Sequence, residues 1–312
     1  MNRAFIFPGQ GSQTIGMGKD FYESEDIAKQ TFQQVNDVLG FSLSNIIFNG
    51  SAEELAITTN TQPALMATSI AILRVLQEKS GKKINELCKV VAGHSLGEYS
   101  ALCAADALTL EDTTRLLHIR SSSMQKASPQ GEGAMAACLG ISQTSLQKML
   151  NDLVENGVCQ IANDNVEGQI VISGHEYNID RVVATLKDTG HKAIKLKVSA
   201  PFHSSLIKNA ESPMQTTLDS TNFSPLTVPL IANISADLVT DTTQIKENLL
   251  KQICGTVRWR ETMDKLANLE IYELVEIGSG RVLTGLAKKS PHNFTIRNIA
   301  STQDLSDFLN SL

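Results

Sequence analysis

The stretch Val90–Ala105, VVAGHSLGEYSALCAA, constrains the fold of this chain more than any other. The run Val90-Val91-Ala92 reads as a buried strand and the small-residue run Leu96–Ala105 as a helix, which leaves Gly93-His94-Ser95-Leu96-Gly97 to turn one into the other. Glycines on both sides of the serine permit a sharp, strained turn. Such a turn exposes the Ser95 hydroxyl and aims the next backbone N–H and the helix N-terminus at one point. The pentapeptide alone is equally a tight turn of no chemical consequence. The strand before it and the helix after it favour a nucleophile elbow at the carboxyl end of an α/β sheet strand.

The rest of the chain agrees with a parallel α/β core. Ala4–Phe7, Lys89–Ala92, Val228–Ile231 and Leu274–Ile277 are short apolar runs ending in Gly, Asn or Pro chemistry, and helical stretches at Ala64–Glu78, Leu96–Ala105 and Leu110–Ala127 lie between them. Thr109-Leu110-Glu111-Asp112 has the form of a capping box with Asp in place of Glu or Gln. From about Gly131 to Val198 the order changes to strand Ala134–Leu139, helix Thr144–Glu155, strands Val158–Ala162 and Gln169–Ser173, helix Ile179–Lys187 and strand Ala193–Val198. That β-α-β-β-α-β order is the split unit of ferredoxin-like domains. The expected organisation is a core formed by residues 1–127 and 199–312 with a small domain, residues 128–198, inserted between its halves.

Composition narrows the function classes. The 312 residues are 42% hydrophobic, enough for a large core, and the net charge of −6 argues against general nucleic-acid binding, which needs clustered Lys and Arg. The apolar start Ala4–Phe7 breaks at Pro8-Gly9, too short for a signal peptide, and no apolar run reaches bilayer length. Five cysteines, Cys88, Cys103, Cys138, Cys159 and Cys254, are widely spaced with no CxxC pair or zinc-ligand spacing. These features lead us to expect a cytoplasmic protein in a reducing compartment with no structural metal.

A serine hydroxyl attacks only after a base takes its proton, so one of six histidines is the expected partner of Ser95. His94 adjoins Ser95 and on a tight elbow points elsewhere. His118 lies in a helix among hydrophobic residues, and His175, His191 and His292 sit in polar, turn-like sequence where solvation is expected. His203, in Ser199-Ala200-Pro201-Phe202-His203-Ser204-Ser205, stands where the inserted segment returns the chain to the core, a place from which a loop reaches an interdomain cleft. Spacing alone does not decide between a base and an ordinary loop histidine there.

Arg120 interrupts an apolar stripe, since Leu116, Leu117, Arg120 and Met124 fall at i, i+1, i+4 and i+8. It is either a snorkelling arginine whose stem covers the core or a partly buried guanidinium ready to grip a carboxylate. Phe7-Pro8-Gly9-Gln10-Gly11-Ser12-Gln13 follows the first strand. It is either a structural loop or a source of backbone N–H groups at the edge where α/β proteins place their sites. Gly278-Ser279-Gly280 after Val275–Ile277 resembles a phosphate-cradling turn, but a lone G-x-G favours a structural role over ligand binding.

Taken together these pieces resemble the malonyl-CoA:acyl carrier protein transacylases and the related polyketide acyltransferase domains. The likeness runs through FPGQGSQ at Phe7–Gln13, TQPAL at Thr61–Leu65, GHSLGEYSAL at Gly93–Leu102, Arg120 in HIRSSSMQ, GAMAA at Gly133–Ala137, SAPFHSS at Ser199–Ser205 and GSGRVLTGL at Gly278–Leu286. It implies a hydrolase-like α/β core with a parallel sheet carrying the ferredoxin-like insertion. It also implies Ser95 as the acylated nucleophile with His203 as its base, the N–H groups of Gln10 and Leu96 as the oxyanion hole, and Arg120 as the binder of the malonyl carboxylate. Further implied are Gln252, whose main-chain carbonyl orients the histidine, Gln62 and Asn163 as polar lining, and Phe202 as a steric bar to branched acyl groups. Ser279 and Glu167 depart from the family pattern, which has proline at those places.

The resemblance further implies malonyl-CoA as substrate, no permanently bound cofactor, and an acyl carrier protein whose phosphopantetheine thiol receives the malonyl group. That partner is acidic, so a local basic surface is expected, with Lys187, Lys192, Lys195, Lys197, Arg281, Lys288 and Lys289 as candidates. A trans-acting polyketide acyltransferase shares every motif. A serine esterase or thioesterase shares the elbow but has no need of Arg120, and a catalytically dead scaffold has no need of Ser95, Arg120 and His203 together.

Overall fold

The computed structural model describes residues 2–129, 131–198 and 200–312. Gln130, in the glycine loop before the inserted segment, and Ser199, at the expected return to the core, lie outside the described residues. The strands are β1 (Arg3–Phe7), β2 (Val90–Gly93), β3 (Gly133–Leu139), β4 (Cys159–Val166), β5 (Gln169–His175), β6 (Lys192–Lys195), β7 (Leu230–Ile231), β8 (Leu238–Val239), β9 (Glu273–Ile277) and β10 (Thr295–Ile299).

Six strands form one sheet in the order β10-β9-β1-β2-β7-β8, parallel throughout except for the β7/β8 hairpin. Every residue of β1 and β2 is buried, as a strand covered by helices on both faces must be. Their register sets Phe7 beside Gly93, so the loop carrying Gln10 and the turn carrying Ser95 leave the sheet at the same edge. The helix Thr58–Ser80 packs beneath with Ala64 to Leu73 wholly buried, which brings Gln62 toward that edge. The reading of Val228–Ile231 as a strand reduces to the two residues of β7. β8 was missed because it is only two residues long, and β10, sequence TIRNI, because a half-exposed edge strand has no continuous apolar run.

The second sheet is antiparallel with the order β4-β5-β3-β6, the ferredoxin-like arrangement read from the element order. The helices Gln143–Leu153 and Glu176–Asp188 cover one face, burying Leu146, Leu150, Ile179, Val182 and Leu186 against Ala136, Cys138, Ile170 and Ile172. β4 runs on to Val166, beyond the expected Ala162, through the polar residues Asn163, Asp164 and Asn165. Those residues are buried because the large-sheet layer holds them. Val257 exchanges backbone bonds with Asp164 N–H (2.9 Å) and the Ala162 carbonyl (2.9 Å), and Arg260 pairs with the buried Asp164 carboxylate at 2.8 Å. The Thr109 cap is half of the expected box: its hydroxyl oxygen accepts from Asp112 N–H at 3.0 Å, but the Asp112 carboxylate accepts from the Thr109 hydroxyl (2.9 Å) rather than from the backbone N–H.

Candidate active site

Ser95 follows Gly93, the last residue of β2, with only His94 between them, and adopts φ 54°, a left-handed conformation that costs a non-glycine residue about 1–3 kcal/mol. The surroundings leave it no alternative. Its N–H donates to Asn233 Oδ1 at 2.7 Å, and Asn233 Nδ2 donates to the Gly93 carbonyl at 2.7 Å. A side chain at Gly93 would run into the Gly97 carbonyl, and one at Gly97 into the carbonyl of Phe7 on β1. Both glycines of the motif are therefore required by close backbone approach, and the helix Gly97–Ala104 starts directly behind the serine.

His203 is also left-handed, φ 58°, and is brought to the elbow by the segment that follows the second sheet. Its Nε2 lies 2.7 Å from Ser95 Oγ and its Nδ1 lies 2.8 Å from the carbonyl oxygen of Gln252. A carbonyl only accepts, so Nδ1 carries the proton and Nε2 turns its lone pair to the serine hydroxyl. Burial, reinforced by the nearby Arg120 charge, pushes the His203 pKa down to about 3 and keeps the ring neutral. Of the six histidines, His203 is the one whose ring meets the Ser95 hydroxyl among the described residues.

Arg120, on the helix Leu110–Lys126, is only 1% exposed. Its charged head is the buried end, which rules out the snorkelling alternative. Nη1 donates to Gln62 Oε1 (2.8 Å), while Nη2 donates to Gln252 Oε1 (2.7 Å) and to Ser95 Oγ (3.1 Å). The guanidinium lies 5.5 Å from the Tyr99 ring centroid, and burial lowers its pKa. Among the described residues none of its hydrogen-bond partners is a carboxylate.

These groups open into a cleft of about 320 Å³. Gln10 and Leu96 line it, and no hydrogen bond among the described residues uses the N–H of either. Asn163 and Phe202, both buried, line it too, and Met124, Met135, Val171 and Leu196 form an apolar wall. The two sheets thus face one another across the cleft. Among the described residues no group of three or more His, Cys, Asp or Glu side chains is arranged to hold a metal ion.

Two residues of the network were missed by sequence reasoning. Glu98, 1% exposed, sits one turn past Ser95 and accepts from Gln252 Nε2 (2.6 Å) and Asn233 N–H (3.2 Å). An acid inside the run Gly97–Ala104 was its visible signal. Asn233 had none, because only the pairing of β7 with β2 brings it under the elbow. The side chain of Gln252 joins Arg120, Glu98 and the Ser95 carbonyl, a role beyond the main-chain carbonyl expected of it.

The other histidines are placed differently from expectation in two cases. His175 accepts from Val158 N–H at 2.8 Å and His292 bonds Asp264 at 2.6 Å, so neither ring is simply solvated. His94 points away from the Ser95 hydroxyl, as expected, to Asn165 Oδ1 at 2.8 Å. Of the candidate lysines, Lys195 is neutralised by Glu176 and Asp180, both at 2.8 Å. Lys197 is exposed at the cleft, and Lys289 reaches Gln169, a lining residue, at 3.1 Å. Ser279 uses its hydroxyl to bond the Ser12 carbonyl at 2.7 Å, fastening the loop of Gln10 in a way proline does not.

A serine on a strained elbow, a neutral imidazole on its hydroxyl and a buried arginine beside it can together support acyl transfer through the serine. The chain belongs to the acyl transferase domain family, whose sequence profile matches residues 4–303. It is 46% identical over 288 residues to a malonyl CoA-acyl carrier protein transacylase of Bacillus subtilis strain 168, covering 92% of this chain and 89% of that protein. In structure it is similar to an acyl-carrier-protein S-malonyltransferase from Bartonella henselae, with a TM-score of 0.97, 45% identity, and coverage of 100% of this chain and 99% of that one. It is similar as well to a malonyl-transacylase solved in complex with its holo type II PKS acyl-carrier protein, with a TM-score of 0.96, 35% identity and full coverage of both chains.

Proposed function

We propose that this enzyme transfers the malonyl group of malonyl-CoA to the phosphopantetheine thiol of an acyl carrier protein through a malonyl-Ser95 intermediate, supplying malonyl-carrier protein for fatty-acid synthesis. The observation that carries this reading is Arg120: a buried guanidinium without a carboxylate partner, 3.1 Å from the nucleophile, is a receptor for an acyl group ending in an acid. His203 Nε2 takes the hydroxyl proton as Ser95 Oγ attacks the thioester carbonyl. The N–H groups of Gln10 and Leu96 hold the oxyanion. The tetrahedral intermediate collapses with release of coenzyme A as a thiol, which leaves with the proton from His203. The carrier thiol then enters, gives its proton to His203 and takes the malonyl group by the reverse steps.

In this reading Gln252 holds His203 by its carbonyl, Gln62 holds Arg120, Asn163 lines the acyl site and Phe202 excludes branched groups. Residues 1–127 and 199–312 act as the core domain and 128–198 as the small domain that closes the cleft. No cofactor is held permanently. Lys197 and Lys289 lead the basic approach surface for the acidic carrier, with Arg281 and Lys288 beside them. A cytoplasmic location suits a carrier-protein reaction, and among the described residues no helix is long and apolar enough to cross a membrane. The second reading, a trans-acting polyketide acyltransferase, is favoured by the likeness to the malonyl-transacylase bound to a type II PKS carrier.

The test is intact-protein mass measurement after mixing with malonyl-CoA and then with holo carrier protein. A malonyl adduct is expected on the wild type, none on Ser95→Ala, and the adduct passes to the carrier. Steady release of free malonate without carrier protein would make the enzyme a thioesterase instead. Faster discharge to a polyketide carrier than to a fatty-acid carrier selects the second reading.

A further inference from the structure

The helix that begins at the elbow carries a buried acid for which the chemistry of Ser95 and His203 has no use. Glu98 is 1% exposed, and among the described residues its carboxylate accepts from two neutral donors, Gln252 Nε2 at 2.6 Å and Asn233 N–H at 3.2 Å. Burying a carboxylate without a cation bonded to it is costly, and what it supplies here is an acceptor oxygen for the Gln252 and Asn233 N–H groups. We propose that Glu98 is a positioning residue for acyl-group selection: it holds the side-chain amide of Gln252 with the oxygen toward Arg120, and so sets the guanidinium for the acid end of the acyl group.

The hydrogen-bond logic of the amide supports this. Gln252 Nε2 faces two acceptors, Glu98 Oε2 and the Ser95 carbonyl (3.1 Å), while Oε1 accepts from Arg120 Nη2 at 2.7 Å. Without the carboxylate Nε2 keeps only its longer bond to the Ser95 carbonyl, which weakens the preference against a turned-over amide that sets its NH₂ against the guanidinium, donor against donor. Nη2 is the nitrogen that also touches Ser95 Oγ, so a shift there moves the carboxylate receptor relative to the nucleophile. Burial pushes the Glu98 pKa up to about 7, opposed by its Gln252 and Asn233 bonds and by the charge of Arg120. The same carboxylate steadies Asn233, whose side chain holds the Ser95 N–H. This inference rests on the reading of Arg120 as the carboxylate receptor.

The experiment is a competition between malonyl-CoA and acetyl-CoA for Ser95, read as the ratio of the two adducts by intact mass. Glu98→Met removes the acceptor at similar volume, and Glu98→Gln keeps an acceptor oxygen in place. In Glu98→Met the malonyl-to-acetyl ratio is expected to fall roughly tenfold or more, and Glu98→Gln to recover most of it. Gln252→Met is expected to show the same loss, and the double variant Glu98→Met/Gln252→Met to lose no more than Gln252→Met alone. A wild-type ratio in Glu98→Met, whatever its rate, overturns the proposal, as do losses that add in the double variant. If Glu98→Met does not fold, Gln252→Met decides, since an unchanged ratio there breaks the link through which Glu98 acts. Failure of the underlying reading overturns the proposal too but looks different: the wild type then takes up no malonyl, or Arg120→Ala keeps the wild-type ratio.

Discussion

Replacing Arg120 by alanine asks whether the buried guanidinium selects the acyl group. A carboxylate gripped by both terminal nitrogens makes two charge-assisted hydrogen bonds of about 1.5–3 kcal/mol each, so their loss removes about 3–6 kcal/mol. At about 1.4 kcal/mol per factor of ten, malonyl loading of Ser95 should fall by roughly 10² to 10⁴. Acetyl-CoA brings no carboxylate, so its loading should change by about tenfold or less. The substitution also strips the donor from Gln62 Oε1 and Gln252 Oε1, and a buried acceptor left unpaired costs about 1–3 kcal/mol. The variant is therefore expected to unfold at lower denaturant, and loading is compared at a temperature where it is folded. The assay is rapid-quench intact-mass measurement of the Ser95 adduct with each thioester. An equal loss for malonyl and acetyl refutes the reasoning, because a guanidinium that met no carboxylate would matter only through the fold.

The same geometry leads to three further outcomes. The ring of His203, its pKa pushed down to about 3 first by burial and then by Arg120, should stay neutral with the proton on Nδ1 from pH 8 to pH 5. Nitrogen NMR of labelled histidine checks this, and a midpoint near 6.5 for His203 would count against it. The unfolded chain takes up that proton below about pH 6.5 and the folded chain only near pH 3. Stability should accordingly fall as the pH drops through that window. Gly93→Ala should destabilise the protein by about 3 kcal/mol or more in denaturant melts, since its Cβ meets the Gly97 carbonyl with no flexible side chain to yield. A midpoint within about 0.5 kcal/mol of wild type would show that the elbow is not closely packed.

By itself, the sequence determined what is local. Val90-Val91-Ala92 followed by GHSLG and a small-residue run yields strand, elbow and helix because burial period, glycine freedom and helix propensity all act within a few residues. The order of elements between Gly133 and Lys195 likewise specifies a second, antiparallel sheet, since short strands and amphipathic helices carry their own periodicity. Motif order along the chain then carried the resemblance through which Ser95, His203 and Arg120 were assigned together.

Only the tertiary structure decided what those residues do to one another. Whether Arg120 ended in solvent or beside Ser95 depended on the packing of its helix against Thr58–Ser80, a contact about which an i, i+4 stripe says nothing. That the His203 ring turns Nε2 to Ser95 depends on a carbonyl 49 positions later in the chain, which takes up Nδ1. Glu98 and Asn233 became part of the site through strand pairing and one amide orientation. The polar run Asn163-Asp164-Asn165 became buried strand where Val257 bonds its backbone, Arg260 pairs with Asp164 and His94 bonds Asn165. Hydrogen bonds between residues far apart in sequence leave no periodic trace along the chain, and it is these bonds that gather His203, Arg120 and Gln252 around the elbow serine.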